Sequence, residues 1–179
     1  MKKAASIFLR AEITMRDVDR MTRWMENPNV TRFLNEDRGI VYFLRQLSAS
    51  VPEPMLGYHF RRTGHFFMVC AEGDDSVGFV RLSPLPEPGA YEIVYVIGEE
   101  ALWGHGLGEG AIRCALSLAF LTLDIKKLVA KIMPENRRSV RSVSACGFTQ
   151  SAADGELLHY TITAEAYLGQ VCIQSQQRA

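Results

Sequence analysis

No stretch of this chain approaches the ~20 consecutive apolar residues that a membrane span requires, so no membrane partner is expected. Lys2 and Lys3 have no apolar run behind them, which argues against a signal peptide. Cysteine is scarce: Cys70, Cys114, Cys146 and Cys172 stand far apart and form no C-x-x-C pair. Cys70 and Cys114 sit in apolar runs and read as buried thiols, which suits a reducing, cytoplasmic compartment. Charge of one sign is also lacking, since 20 Lys plus Arg balance 20 Asp plus Glu. That excludes a chain-wide polycation for nucleic acid, and no nucleic-acid motif is present. There is no GK[ST] phosphate loop, no G-x-S-x-G nucleophile elbow, and no histidine with a partner at metal-ligand spacing, so no metal is expected. Repeats and linkers are missing too, and 179 residues suit a single domain over 1–179, with a loose polar tail from about 170.

What is there is organised around Tyr91–Gly110, YEIVYVIGEEALWGHGLGEG. Tyr91–Ile97 is β-branched and aromatic and predicts a strand. Gly104, Gly106, Gly108 and Gly110 follow, leading into an apolar helix over Leu107–Leu121. Such a strand–glycine–helix unit can turn successive backbone N–H groups, and the positive end of the helix, toward a diphosphate. The spacing is wrong for the dinucleotide fingerprint G-x-G-x-x-G, and the turn lies past mid-chain rather than at a first strand. From the glycines alone, a tight turn with close helix–sheet packing stays open as an alternative.

Trp103-Gly104-His105-Gly106-Leu107-Gly108 resembles the acyl-CoA motif Q/R-x-x-G-x-G/A of the GNAT superfamily of N-acyltransferases. Gly106 and Gly108 fall on its two glycine positions. Trp103 replaces the Gln or Arg, a departure common in the RimJ/RimL-like branch. The downstream signature, an Asn, a small residue three on and then G-F, is matched by Asn136, Ser139, Gly147 and Phe148. The resemblance covers roughly Ile7–Leu168. It implies an α/β fold with a mixed, strongly twisted sheet flanked by helices. It also implies acetyl-CoA as co-substrate, and direct attack by an amine from a small molecule or a protein N-terminus. The expected protein is a monomer or homodimer. A non-catalytic acyl-CoA sensor or interaction module, or a transferase for a longer acyl group, is the alternative.

The remaining elements are predicted from pattern. Ser6–Leu9 is a first strand. Thr14, with Asp17 three residues on, caps a helix carrying Val18, Met21, Trp24 and Met25 on one face and ending at Asn27-Pro28. Ile40–Leu47 is a second helix. Val51–Arg62, with Pro52, Pro54 and Gly57, reads as a loop bordering the acceptor. Phe66–Ala71 and Ser76–Leu82 form a hairpin through Gly73. Leu128–Ile132 is a strand, Ser139–Cys146 a helix capped by Ser139 and stopped by Gly147, and Phe148–Gln150 and Leu157–Thr163 are late strands before a short helix over Ala164–Leu168.

Glu92 opens the organising strand, and alternation puts it with Val94 and Val96 on one face, opposite Tyr91, Ile93, Tyr95 and Ile97. Glu92–Ile97 is similar to the histone-acetyltransferase segment whose glutamate is the base, which makes Glu92 the first candidate for taking the ammonium proton; a solvated strand-edge glutamate is the other reading. The resemblance places Val94, Tyr95 and Val96 along the cofactor arm, where the strand splays and a freed backbone N–H meets the thioester carbonyl. It assigns Trp103, Gly104, His105, Gly106, Leu107 and Gly108 to the diphosphate and Asn136 to the cofactor arm or local backbone. Many relatives carry a tyrosine acid seven residues after the Asn; here that residue is Val143, leaving Ser139, Tyr160 or water. Lys126, Lys127, Lys131, Arg137, Arg138 and Arg141 form a basic cluster, with Arg138 and Arg141 three apart and suited to the CoA 3′-phosphate. Glu26, Glu36, Asp37 and Glu53 are the acids available to a cationic acceptor.

Overall fold

In the computed structural model, residues 7–34 and 39–176 are described, and their strands form one seven-stranded sheet. In chain order the strands are β1 (Phe8–Arg10), β2 (His65–Cys70), β3 (Ser76–Pro84), β4 (Ala90–Ile97), β5 (Lys127–Ile132), β6 (Thr149–Asp154) and β7 (Leu157–Thr163). Across the sheet they lie β1-β2-β3-β4-β5-β7-β6. Every pair is antiparallel except β4–β5, which is parallel because a helix crosses between them. The mixed α/β architecture expected from the sequence is the one found.

The β4–β5 pair is short. Its register runs only from Ala90↔Lys127 to Glu92↔Val129. Beyond that β4 stays with β3 as far as Ile97↔Gly78, and β5 stays with β7 as far as Ile132↔Leu158. The two strands therefore part just after Glu92 and leave a V-shaped gap in the middle of the sheet.

Alternation along the strands builds two cores. On one face Val80, Leu82, Ile93 and Leu128 pack against Ala111, Ile112, Ala115, Leu116 and Ala119 of α5 (Leu107–Leu121). Small residues on that helix let it lie close to the sheet. Val143 of α6 (Arg137–Ala145) and Tyr167 of α7 (Ala164–Gln176) complete this side. On the other face Phe66, Met68, Phe79 and Val96 meet Val18, Met21, Trp24 and Met25 of α1 (Met15–Glu26). Val30 of α2 (Pro28–Thr31), Leu44 and Leu47 of α3 (Ile40–Ser50) and Leu56 of α4 (Glu53–Arg61) join them. The Met/Trp stripe read from the sequence is thus core. Gly98 lets α1 approach the end of β4, because a Cβ there would stand 2.1 Å from the Trp24 ring.

Thr14 and Asp17 form the expected capping box, and Gly73 takes the left-handed conformation in the β2–β3 connection (φ 81°). Three expectations are corrected and one is extended. The segment expected as a loop over Val51–Arg62 is helical from Glu53 to Arg61: Pro52 is the N-cap and Pro54 lies in the first turn, where no helical N–H is forfeited. Asn27-Pro28 ends α1 but also starts α2, with the Asn27 side chain accepting the Asn29 N–H. Asn136, not Ser139, caps α6. The last helix does not stop at Leu168 but continues to Gln176, so residues 170–176 are helical. Lys2, Lys3, Ser6, Glu36 and Asp37 lie outside the described residues. Among the described residues no helix is long and apolar enough to cross a membrane.

Candidate acyl-CoA cleft

The gap between β4 and β5 opens into a cleft of about 800 Å³. Ile93–Ile97 form one wall, Ala130–Met133 the other, and the glycine turn closes one end. Val94, Tyr95 and Val96 are among the residues that line it.

Gly104 (φ 78°) and Gly106 (φ 80°) both adopt the left-handed conformation, and an added Cβ at either would meet nothing within 4 Å. Backbone dihedrals, not crowding, call for glycine there. Gly106 caps α5 without a side-chain hydrogen bond, and its carbonyl accepts the Gly110 N–H at 2.9 Å. The N–H groups of Leu107, Gly108 and Glu109 therefore have no partner within the helix. They sit at its positive end beside the cleft, a ready anion seat. At Gly108 a Cβ would stand 3.4 Å from the Tyr95 ring, so helix and strand are near contact.

Trp103 has a role that its motif position did not suggest. Its Nε1–H donates to the Ile97 carbonyl at 2.7 Å and pins the turn to the end of β4. The Arg138 guanidinium lies 3.9 Å from the Trp103 ring centroid, so the indole is a platform holding a cation over the cleft. Asn136 accepts the Ser139 N–H at 3.2 Å, which fixes the start of α6 and brings Asn136, Arg138, Ser139 and Arg141 to the cleft. The basic cluster divides: Lys126 pairs with Asp124 and Lys127 with Glu87, away from the cleft, whereas Lys131, Arg138 and Arg141 line it. His105 is exposed and is not part of the lining.

Glu92 lies at the point of the V, where the strands part, and lines the cleft. Its carboxylate forms an ion pair with Lys131 on the departing strand, at 3.0 Å. The Tyr95 hydroxyl, on the opposite strand face, donates to Ser139 Oγ at 3.0 Å. Burial pushes the Tyr95 phenol above its ordinary value, against the pull of hydrogen bonds to Ser139 and Ser142. Tyr160 does not join this group. It is buried in the core beneath α5, paired across the sheet with Ala130 and Gln150, and does not line the cleft. Val143 is fully buried in the same core.

Arg81, Lys131 and His159 line the cleft unforeseen as a group. Alternation along β3 would place Arg81 on the face of Glu92, but only a known register brings it there: Arg81 pairs with Val94 and Ser83 with Glu92. All four cysteines are free thiols, and burial raises Cys70, Cys114 and Cys146, the last to about 11, which disfavours thiolate chemistry near neutrality. Among the described residues no three His, Cys, Asp or Glu side chains converge as metal ligands.

Residues 7–149 match the family model described as acetyltransferase (GNAT) domain. An uncharacterized N-acetyltransferase p20 of Bacillus licheniformis is 22% identical over 146 residues, 76% of each chain. The spermidine N-acetyltransferase of Vibrio cholerae, solved with CoA and spermine, has a TM-score of 0.72 at 18% identity, covering 90% of this chain and 98% of that one. Aminoglycoside acetyltransferase AAC(6')-Ib with CoA and kanamycin gives 0.72 at 16% identity, covering 92% and 98%. These structural likenesses are to the fold.

Proposed function

The chain belongs to the GNAT acetyltransferase family, and on that premise we propose that it is an acetyl-CoA-dependent N-acetyltransferase of the RimJ/RimL-like branch, acting on a primary amine of a small molecule or a protein N-terminus. The carrying observation is the parting of β4 and β5 directly after Glu92, with the uncapped start of α5 at the end of the gap. The donor set fits CoA. Backbone N–H groups at Leu107–Glu109 suit the diphosphate, Arg138 and Arg141 suit a phosphate oxygen fork, and the unpaired strand edges suit amide groups of the pantetheine arm. Bound acetyl-CoA supplies the activated acyl group.

In this reading Glu92 receives the proton of the acceptor ammonium, directly or through water. The amine nitrogen forms a bond to the acetyl carbon, the carbon–sulfur bond breaks, and one proton ends on the thiol, giving an amide and free CoA. Ser139, which lines the cleft beside Ser142 and accepts from the Tyr95 hydroxyl, is the candidate to supply that proton, in place of the tyrosine that many relatives carry at the position of Val143. The setting is a reducing cytoplasm, which four free thiols suit.

Purified protein mixed with acetyl-CoA and pooled primary amines should release free thiol. Val143 in the tyrosine position favours one second reading, an acyl-CoA sensor. CoA binding without thiol release across a wide amine and peptide panel would select it.

A further inference from the structure

A serine or threonine inside a helix can spend its one proton on the carbonyl four residues back. Thr22 donates to the Val18 carbonyl at 2.8 Å, Thr31 to Asn27 at 3.1 Å and Ser175 to Val171 at 2.9 Å. Ser139, in the first turn of α6, does not follow them. The carbonyl four residues before it belongs to Glu135, ahead of the cap. There the non-helical Asn136 turns the chain aside, and the Glu135 carbonyl accepts the Arg137 N–H at 2.8 Å instead. Among the described residues nothing accepts a proton from Ser139 Oγ.

What Ser139 Oγ does is accept, from the Tyr95 hydroxyl at 3.0 Å. A phenol has one proton to give. The Tyr95 bond to Ser142 therefore runs the other way, from the Ser142 hydroxyl into the phenol oxygen. Three hydroxyls form a directed chain, Ser142 to Tyr95 to Ser139, and the proton left over is that of Ser139. All three residues line the cleft. An oxygen that accepts on one side turns its own O–H away from that donor, and the open side of Ser139 is the cleft. Burial holds the Tyr95 phenol above its ordinary value, so it stays protonated, and a donor, through the neutral range. Its ring lies against the start of α5, 3.4 Å from where a Cβ on Gly108 would stand. The donor is thus fixed by the same turn that offers the anion seat.

Resting on the transferase reading, we propose that Tyr95 is a positioning residue: it turns the Ser139 hydroxyl toward the sulfur of bound CoA, to which that hydroxyl donates a hydrogen bond. When the carbon–sulfur bond breaks, its electron pair goes to sulfur, and the Ser139 O–H stabilises that charge until a proton ends there. Tyr95 neither gains nor loses a proton. A tyrosine on β4, acting through a serine on α6, stands in for the helix tyrosine that is absent at Val143.

The test titrates the thiol of bound CoA through its thiolate absorbance, in wild type, Tyr95→Phe, Ser139→Ala and the double variant. Tyr95→Phe keeps the ring against Gly108 and removes only the hydroxyl, so CoA affinity should not change. A hydrogen bond to the charged form favours it, so the thiol on wild type should ionise about one pH unit below that of free CoA. Each single variant should lose roughly half of that shift or more. The double variant should lose no more than Ser139→Ala alone, because Tyr95 acts only through Ser139. Turnover should follow, with kcat in Tyr95→Phe lower by about three- to tenfold and KM for acetyl-CoA unchanged. A bound thiol in Tyr95→Phe that ionises as in wild type, or losses that add in the double variant, would overturn the proposal. The two readings fail separately. A shifted thiol with no acetyl transfer to any amine of a wide panel defeats the transferase reading alone, whereas turnover with an unshifted thiol defeats this one alone.

Discussion

Glu92 is paired with Lys131, so under the proposed mechanism an acceptor ammonium would share a carboxylate that already has a cationic partner. Glu92→Gln keeps the shape and removes the charge. Turnover should fall by about 10²-fold if proton removal limits the rate, with CoA affinity unchanged by titration. Raising the pH should recover part of the loss, because solution then supplies neutral amine. Wild-type turnover in the variant would remove Glu92 from the mechanism. Arg141 is the separate case of a cation at the open side of the cleft, its Nε donating to the Arg137 carbonyl. Arg141→Ala should weaken CoA more than 3′-dephospho-CoA, and equal losses would place the side chain away from the 3′-phosphate. Residues of this kind were legible because they sit in short motifs with fixed spacing: Glu92 before the turn, Gly106 and Gly108 in it, Asn136 and Ser139 after it. Even there the capping role at α6 fell to Asn136 rather than to Ser139. Asn and Ser are both good caps, and only the geometry shows that Asn136 caps while Ser139 is left to meet Tyr95. Arg81 and His159 carried no comparable signal, since partners across a sheet are fixed by register rather than by sequence distance.

The same division appears among the elements. The start of α5 was legible because glycines at left-handed positions precede an apolar run, whereas α4 was hidden by its own start signals. Pro52 and Pro54 read as breaks but occupy the cap and first turn, and buried Leu56 holds the helix down. The proposed anion seat at α5 predicts a specific pattern of loss. At Gly106 an added Cβ would meet nothing within 4 Å but would stand on a left-handed residue beside the cleft. Gly106→Trp should therefore cost about 1–2 kcal/mol of backbone strain and lower CoA affinity at least tenfold. Gly155→Ala is the control. It carries the same kind of conformation (φ 55°) with equally open surroundings, in the β6–β7 turn, and does not itself line the cleft. It should lose similar stability and leave CoA titration unchanged. CoA affinity unaltered in folded Gly106→Trp would move the diphosphate away from this turn.

For the whole molecule, the splayed sheet depends on two cores that face opposite ways, and the edge of the second is tied by one buried ion pair. Arg10 at the end of β1 donates from Nη2 to both Asp17 carboxylate oxygens, at 3.0 and 3.1 Å. Asp17 is also the capping-box acid of α1 and accepts the Thr14 N–H at 2.8 Å. The strand edge and the start of the helix therefore share one carboxylate, which is 2% exposed. Burial alone would raise its pKa, but the Thr14 N–H, the Ser76 and Thr14 hydroxyls and the Arg10 guanidinium together hold it below the ordinary value. A carboxyl that binds its proton less readily when folded adds stability above its unfolded pKa, near 4, and loses that stability as pH falls through the lower folded value. Asp17→Asn removes one of the two carboxylate partners of Arg10, leaving the exposed Asp74 at 3.1 Å, and weakens the cap, a loss of about 2 kcal/mol at neutral pH, or roughly 4–8 °C in melting temperature for a chain of this size. The gap between wild type and variant should be widest at neutral pH and narrow below about pH 4, as the wild-type carboxyl takes up its proton. Thermal unfolding of both proteins across pH 3–7 reads this directly. A gap that widened with acid, or stayed constant through that range, would show that the carboxylate charge is not what fastens β1 and α1 to the sheet.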